Sequence, residues 1–146
     1  MSTTILIVDD HPRMRQTLHD WMHLHFPGCR VRTAASGEEA VALAQSEPPQ
    51  LVIMDVGLPG ISGFEAVRQI RGKRPATRIV MLSIHDAVSY RAEAVVVGAS
   101  AYVPKHRIDD ELLPVVQALL AGLAQANDAA TNPADREATG RAGDGS

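Results

Sequence analysis

The chain has 146 residues, enough for one hydrophobic core of ordinary size and too few for two well-packed ones. Its net charge of −3, with a pI near 6.0 and no long basic run, lacks the electrostatic footprint of non-specific nucleic-acid binding, so this chain is not expected to bind DNA directly. One cysteine, Cys29, excludes an internal disulfide, the N-terminus lacks the pattern of a secretion signal, and no apolar run approaches the roughly 20 residues that cross a bilayer. A cytoplasmic location without a membrane span is the expectation.

Thr4 to Val8 is a β-branched and aliphatic run that stops abruptly at Asp9 and Asp10, and Pro12 stands where a helix can begin. Met14, Leu18, Trp21, Met22 and Phe26 recur at helical spacing until Pro27 and Gly28 end the pattern. A second strand is expected over Arg30 to Thr33. Ser36 with Glu39 forms a capping box ahead of Val41, Leu43 and Ala44, and Pro48-Pro49 closes that helix. Leu51 to Met54 is a continuous apolar run, which belongs to a parallel sheet covered on both faces, so the class is α/β.

A second capping box, Ser62 with Glu65, opens a third helix to about Ile70. A fourth strand is expected over Arg78 to Leu82, a fourth helix over Asp86 to Val97 and a brief fifth strand over Ala101 to Val103. Asp109 is expected to cap a last helix reaching about Ala126, with Pro114 in its first turn, since deeper placement costs about 3 kcal/mol. Residues 127–146 contain no Ile, Leu, Val, Met or aromatic residue. They are expected to form a disordered tail or linker remnant after a domain of residues 1–126.

A parallel sheet presents the C-terminal ends of its strands along one edge, where ligands of open α/β sheets bind. Asp9 and Asp10 follow the first strand, Asp55 the third, Ser83 the fourth and Lys105 the fifth, so the expected topology gathers them there. Three carboxylates close together repel unless a cation compensates, and an all-oxygen set favours Mg2+ over zinc. Lys105 is a compact cation that can pair with a carboxylate and then with a phosphoryl oxygen, and Ser83 offers a hydroxyl. The chemistry implied is phosphoryl transfer to a carboxylate.

The strings I-L-I-V-D-D-H-P, V-I-M-D-V-G-L-P-G-I-S-G, M-L-S-I-H-D and G-A-S-A-Y-V-P-K, in this order and spacing, resemble the receiver domains of two-component response regulators. The resemblance covers residues 4 to about 124. It is strongest to receivers joined to helix-turn-helix transcription factors of the nitrate-response and nodulation-regulator type. It implies a flavodoxin-like (βα)5 doubly wound sheet of strand order 2-1-3-4-5 and phosphorylation of Asp55 by a sensor histidine kinase or phosphotransfer protein. It further implies Mg2+ held by Asp10, Asp55 and the Gly57 carbonyl, with Asp9 acting through water, and a Ser83–Tyr102 switch. That switch would reshape the face of helix 4, strand 5 and helix 5 for a homodimer or docking partner. By the same resemblance Gly57 and His85 tune hydrolysis of the acyl phosphate. The chain departs from many receivers in having His106, not proline, after Lys105. A cis bond before a residue other than proline costs about 3 kcal/mol. No recognition helix follows helix 5, which leaves a stand-alone receiver and a truncated regulator both open.

His19, His23 and His25 have a spacing compatible with a transition metal but lack an accompanying Cys or acid, and His11 and His106 are expected as solvated rim residues. In helix 4, Val88, Ala92, Val95 and Ala99 are expected to face the core, leaving Tyr90, Ala94 and Val97 as an outward apolar stripe. Two other classes compete. A flavodoxin would need a Ser/Thr/Gly-rich phosphate loop where this chain has Asp-Asp-His-Pro, and a haloacid-dehalogenase-type phosphatase would need an Asp-x-Asp pair after one strand. Neither pattern is present.

Overall fold

The computed structural model describes residues 3–85 and 87–131. Five strands, β1 (Thr4–Val8), β2 (Arg30–Ala34), β3 (Leu51–Asp55), β4 (Arg78–Ser83) and β5 (Ala101–Pro104), alternate with α1 (Pro12–His25), α2 (Gly37–Ser46), α3 (Gly63–Lys73), α4 (Val88–Val97) and α5 (Leu113–Thr131). All strand pairs are parallel, in the order β2-β1-β3-β4-β5. No helix among the described residues is long and apolar enough to cross a membrane.

Side chains alternate across a strand, so the sheet divides its apolar residues between two cores. Leu6, Val8, Val52, Met54, Ile79 and Met81 pack with Ala40, Ala66, Val67 and Ile70 from α2 and α3. Ile5, Ile7, Leu51, Ile53, Val80 and Leu82 pack with Leu18 and Met22 of α1 and Val116 of α5. All of β3 is buried, as its unbroken apolar sequence requires.

Serine caps set the starts of α2 and α3. Ser36 and Ser62 each accept a hydrogen bond, from the Glu39 and Glu65 amides at 3.1 Å. Each box is only half closed on its own cap residue. Glu39 reaches back to the Ala35 amide, whereas Glu65 turns to Arg68 and Gln69. Replacing either serine with alanine is expected to cost about 1 kcal/mol, read as a fall in the urea midpoint at unchanged slope.

The structure corrects two expectations. In α4, Ala94 and Val97 are buried and Tyr90 packs against the core, whereas Val88 and Val95 are 83% and 75% exposed. The inward and outward stripes are therefore exchanged, although Ala99, just past the helix, does touch the core. Both stripes are apolar, so periodicity could not separate them; the stacking of Tyr90 on His85 and its contact with Phe64 fix the rotation. Asp109 is not a helix cap. A single 3-10 turn (Lys105–Arg107) and a π-helical turn (Ile108–Leu112) precede α5, burying Ile108 and Leu112. Pro114 does lie in the first turn of α5, which continues past Ala126 to Thr131. The expectation for Asp86 as a helix start and that for residues 132–146 fall outside the described residues.

Candidate functional site

Strand register assembles the site. Val8 pairs with Met54, Asp55 with Leu82 and Ser83 with Pro104, so Asp9, Asp55, Ser83 and Lys105 all sit at or one residue beyond the last rungs of the sheet. Asp9 is fully buried, with its Oδ1 accepting the His11 amide at 2.9 Å and its carbonyl accepting a bond from the Arg15 guanidinium at 2.8 Å. Lys105 Nζ lies 3.4 Å from Asp9 Oδ2 and 3.3 Å from Asp55 Oδ1, spanning the two buried carboxylates. The Gly57 amide also donates to Asp55 Oδ1, at 3.3 Å. Peptide bonds throughout the described residues are trans, so the Pro104-Lys105-His106 turn delivers the lysine without a cis bond.

Burial pushes the Asp55 carboxyl above the usual carboxylate range, and the neighbouring Asp9 adds to that rise. Lys105 and the Gly57 amide oppose it without cancelling it. A buried acid only partly compensated by one lysine is suited to a cation. Asp10 Oδ1 supports this fit, because it is buried yet accepts no hydrogen bond. Ligand atoms of Asp9, Asp10, His11 and Asp55 lie within 4.8 Å of one another, the one such group among the described residues. These oxygens fit a hard divalent ion such as Mg2+.

Beside Asp55 is a cavity of about 110 Å3 lined by His11, Gly57, Ser83, His85 and Lys105, among others. That is well above the ~10–15 Å3 that one water needs, so the cavity leaves room for a small polar group beside Asp55. Ser83 is buried, and its Oγ accepts a bond from the His85 amide at 2.9 Å. The Tyr102 hydroxyl donates to the His85 carbonyl, and the Arg91 guanidinium lies 5.0 Å from the centre of the Tyr102 ring. His85 therefore links Ser83 to Tyr102 through its backbone.

The structure thus brings Asp9, Asp10, Asp55 and Lys105 together, places Ser83 on the same cavity and puts Tyr102 one residue's contact away. His106 is exposed, as expected of a rim residue. His19 and His23 stack with ring centroids 6.2 Å apart and belong to no metal-competent group among the described residues. Sequence reasoning missed Arg15, whose bond to a backbone carbonyl leaves no trace in spacing. It also treated His11 as rim only: the ring is exposed, but Nδ1 lies 3.3 Å from oxygens of both Asp9 and Asp10.

The family model described as response regulator receiver domain matches residues 5–117. The transcriptional activator protein ExaE of Pseudomonas putida is 41% identical over 120 residues, which cover 82% of this chain and 56% of that protein. The response regulator MprA of Mycobacterium tuberculosis is 38% identical over 120 residues, covering 82% of this chain and 51% of that protein. The chain thus spans about half the length of these curated relatives. A LuxR-family two-component response regulator from Aurantimonas superposes with a TM-score of 0.77 at 36% identity, covering 84% of this chain and 87% of that one. The chemotaxis protein CheY4 of Vibrio cholerae superposes with a TM-score of 0.72 at 32% identity, covering 82% of this chain and 99% of that one. With its sheet order, its acidic edge and these likenesses in agreement, the chain belongs to the response-regulator receiver domains of two-component signalling.

Proposed function

We propose that Asp55 is the phosphoacceptor, that Lys105 and Ser83 contact the arriving phosphoryl group, and that Asp10, Asp55 and the Gly57 carbonyl bind Mg2+ with Asp9 in support. The observation that carries this reading is the position of Lys105 Nζ, 3.3 Å from Asp55 Oδ1 beside the cavity that Ser83 lines. Mg2+, when bound, neutralises charge on the phosphoryl oxygens. An Asp55 carboxylate oxygen forms the new bond to phosphorus while the N–P bond of a kinase phosphohistidine breaks, its electron pair remaining on the imidazole, which takes up a proton. Lys105 orients the carboxylate beforehand and pairs with a phosphoryl oxygen afterwards. Gly57 leaves open space next to the acceptor, since a Cβ there would meet nothing within 4 Å. The reaction is the domain's own phosphorylation and dephosphorylation, not turnover of a metabolite.

The output follows from the path Ser83–His85–Tyr102. When the Ser83 hydroxyl turns to a phosphoryl oxygen, its bond to the His85 amide is lost, and the Tyr102 bond to the same residue is redrawn. The face of α4, β5 and α5, with Val88, Val95 and Val96 exposed on α4, is the surface through which a second copy or an output partner docks. The receiver would act in the cytoplasm, with residues beyond α5 serving as a tail or linker. Incubation with acetyl phosphate and Mg2+, followed by mass spectrometric mapping, is expected to find one phosphoryl group, on Asp55. Modification elsewhere, or none with Mg2+ present, would overturn the assignment.

A further inference from the structure

On the rim opposite Asp55 the chain builds a second cavity, of about 450 Å3, between the turn entering β3, the turn entering β4 and Leu123 of α5. Its volume falls within the ~300–1,000 Å3 of small-molecule sites. Five residue steps along β3 separate Gln50 on its wall from Asp55, roughly 16 Å at about 3.3 Å each, so it is no extension of the phosphorylation site. The walls are pinned before any ligand arrives. Thr77, which is buried, donates its hydroxyl hydrogen to the Pro49 carbonyl at 3.0 Å, the Arg78 amide donates to the Gln50 carbonyl at 2.9 Å, and the Arg74 guanidinium donates to the Gln45 carbonyl at 3.1 Å. Pro48, Pro49 and Pro75 fix φ in the same turns. A cavity held this way loses little freedom on binding.

Its chemistry is that of an anion receptor with apolar walls. The proline rings, Ala76 and Leu123 line it beside Lys73 and Arg74, and no carboxylate does. Neither cation has an acidic partner among the described residues. Arg74 Nε is buried and donates to nothing, a guanidinium N–H left without an acceptor. The C-terminus of α3 accounts for one cation nearby, but Arg71 already fills that role, donating to the Thr77 carbonyl at 2.8 Å. Arg30 and Arg78 open β2 and β4 on this rim, while Glu47 is held by Arg32, so the rim is positive where the opposite one is acidic. We propose that this cavity binds a small organic anion, one carboxylate on an apolar body. Lys73 and Arg74 meet the carboxylate, and the prolines and Leu123 cover the body. A bare inorganic anion leaves the apolar walls wet, and a neutral apolar molecule leaves the cations desolvated without a partner, so the fit needs both halves.

The test is titration of the isotope-labelled full chain with 2-naphthoate, followed by amide chemical shifts and calorimetry, with 2-naphthalenemethanol and inorganic phosphate as the neutral and the bare-anion comparators. One naphthoate per chain is expected to bind about tenfold or more tightly than either comparator, moving the amides of Gln50, Lys73, Ala76 and Thr77 and leaving those of Asp55 and Lys105 in place. Lys73→Gln and Arg74→Gln are each expected to weaken it about tenfold. Ala76→Glu adds a carboxylate at an exposed position on the wall, away from the hydrogen bonds that pin the turns, and is expected to abolish binding. All three variants are expected to keep the native amide spectrum and the wild-type rate of phosphorylation by acetyl phosphate. Equal binding of naphthoate and the neutral alcohol, undiminished binding in Ala76→Glu, or shifts centred on the acidic rim would overturn the proposal. So would sedimentation of the free chain as a dimer that Ala76→Glu dissociates, which would assign the cavity to a second copy.

Discussion

An Asp55→Asn chain should take up no phosphoryl group from acetyl phosphate and yet melt at a higher temperature than the wild type in metal-free buffer at neutral pH. The first half follows from chemistry: the amide has no carboxylate oxygen to attack phosphorus, and no second acid on the described cavity stands where Asp55 does. The second half follows from burial. Asp55 binds its proton more tightly in the folded chain than in the unfolded one, so the folded state loses stability as pH rises from near 4 through the raised folded value. Above that window the wild type carries the whole penalty and the asparagine variant none. Their melting curves should converge toward pH 4 and separate as pH increases. Mg2+ should reverse the order, because an ion at 100 times its dissociation constant stabilises the state that binds it by about 2.7 kcal/mol, and it binds the variant poorly. A variant less stable than the wild type at neutral pH without metal would contradict the reading of Asp55 as an under-compensated buried charge.

Gly63→Ala should be the most destabilising single-methyl change near the site, by about 3 kcal/mol or more and a fall in melting temperature on the order of 10 °C. Gly63 opens α3, and a Cβ on it would lie 2.1 Å from the Asp55 carbonyl oxygen and 2.8 Å from Val56 Cα. Both neighbours are backbone at the end of the central strand, so neither can swing aside as a side chain would. Relief requires α3 to retreat, and the Gly63 amide bond to the Val56 carbonyl, 3.0 Å long, goes with it. The segment from Val56 to Leu58 that holds Gly57 against Asp55 is then released, so phosphorylation should slow as well. Gly57→Ala is the internal control: the added methyl meets nothing within 4 Å, and stability should change by no more than about 0.5 kcal/mol. Urea unfolding of the two variants side by side gives the comparison, and a Gly63→Ala loss below about 1 kcal/mol would refute the close approach of α3 to β3.

Most of the architecture was legible because local rules and global fold agree here. Unbroken apolar strands demanded helices on both faces, and the serine caps and proline stops marked the connections. The acidic edge was legible for a related reason. In a parallel sheet, whatever follows a strand arrives at the same rim, so Asp9, Asp55, Ser83 and Lys105 could be placed together from strand ends alone. The start of α5 was not legible: Asp109 has the chemistry of a cap, yet the tertiary demand to bury Ile108 and Leu112 winds the chain through a 3-10 and a π turn first.

The sequence by itself determined the class, the strand ends and the residues of the acidic cluster, because these depend on period, polarity and chain order. Only the tertiary structure decided which apolar side of α4 turns inward, how closely Gly63 lets α3 approach β3, and that His11 points a nitrogen at two carboxylates. Those outcomes depend on contacts between segments distant in the chain or on the rotation of one side chain, and pattern along a single strand of sequence carries no information about either.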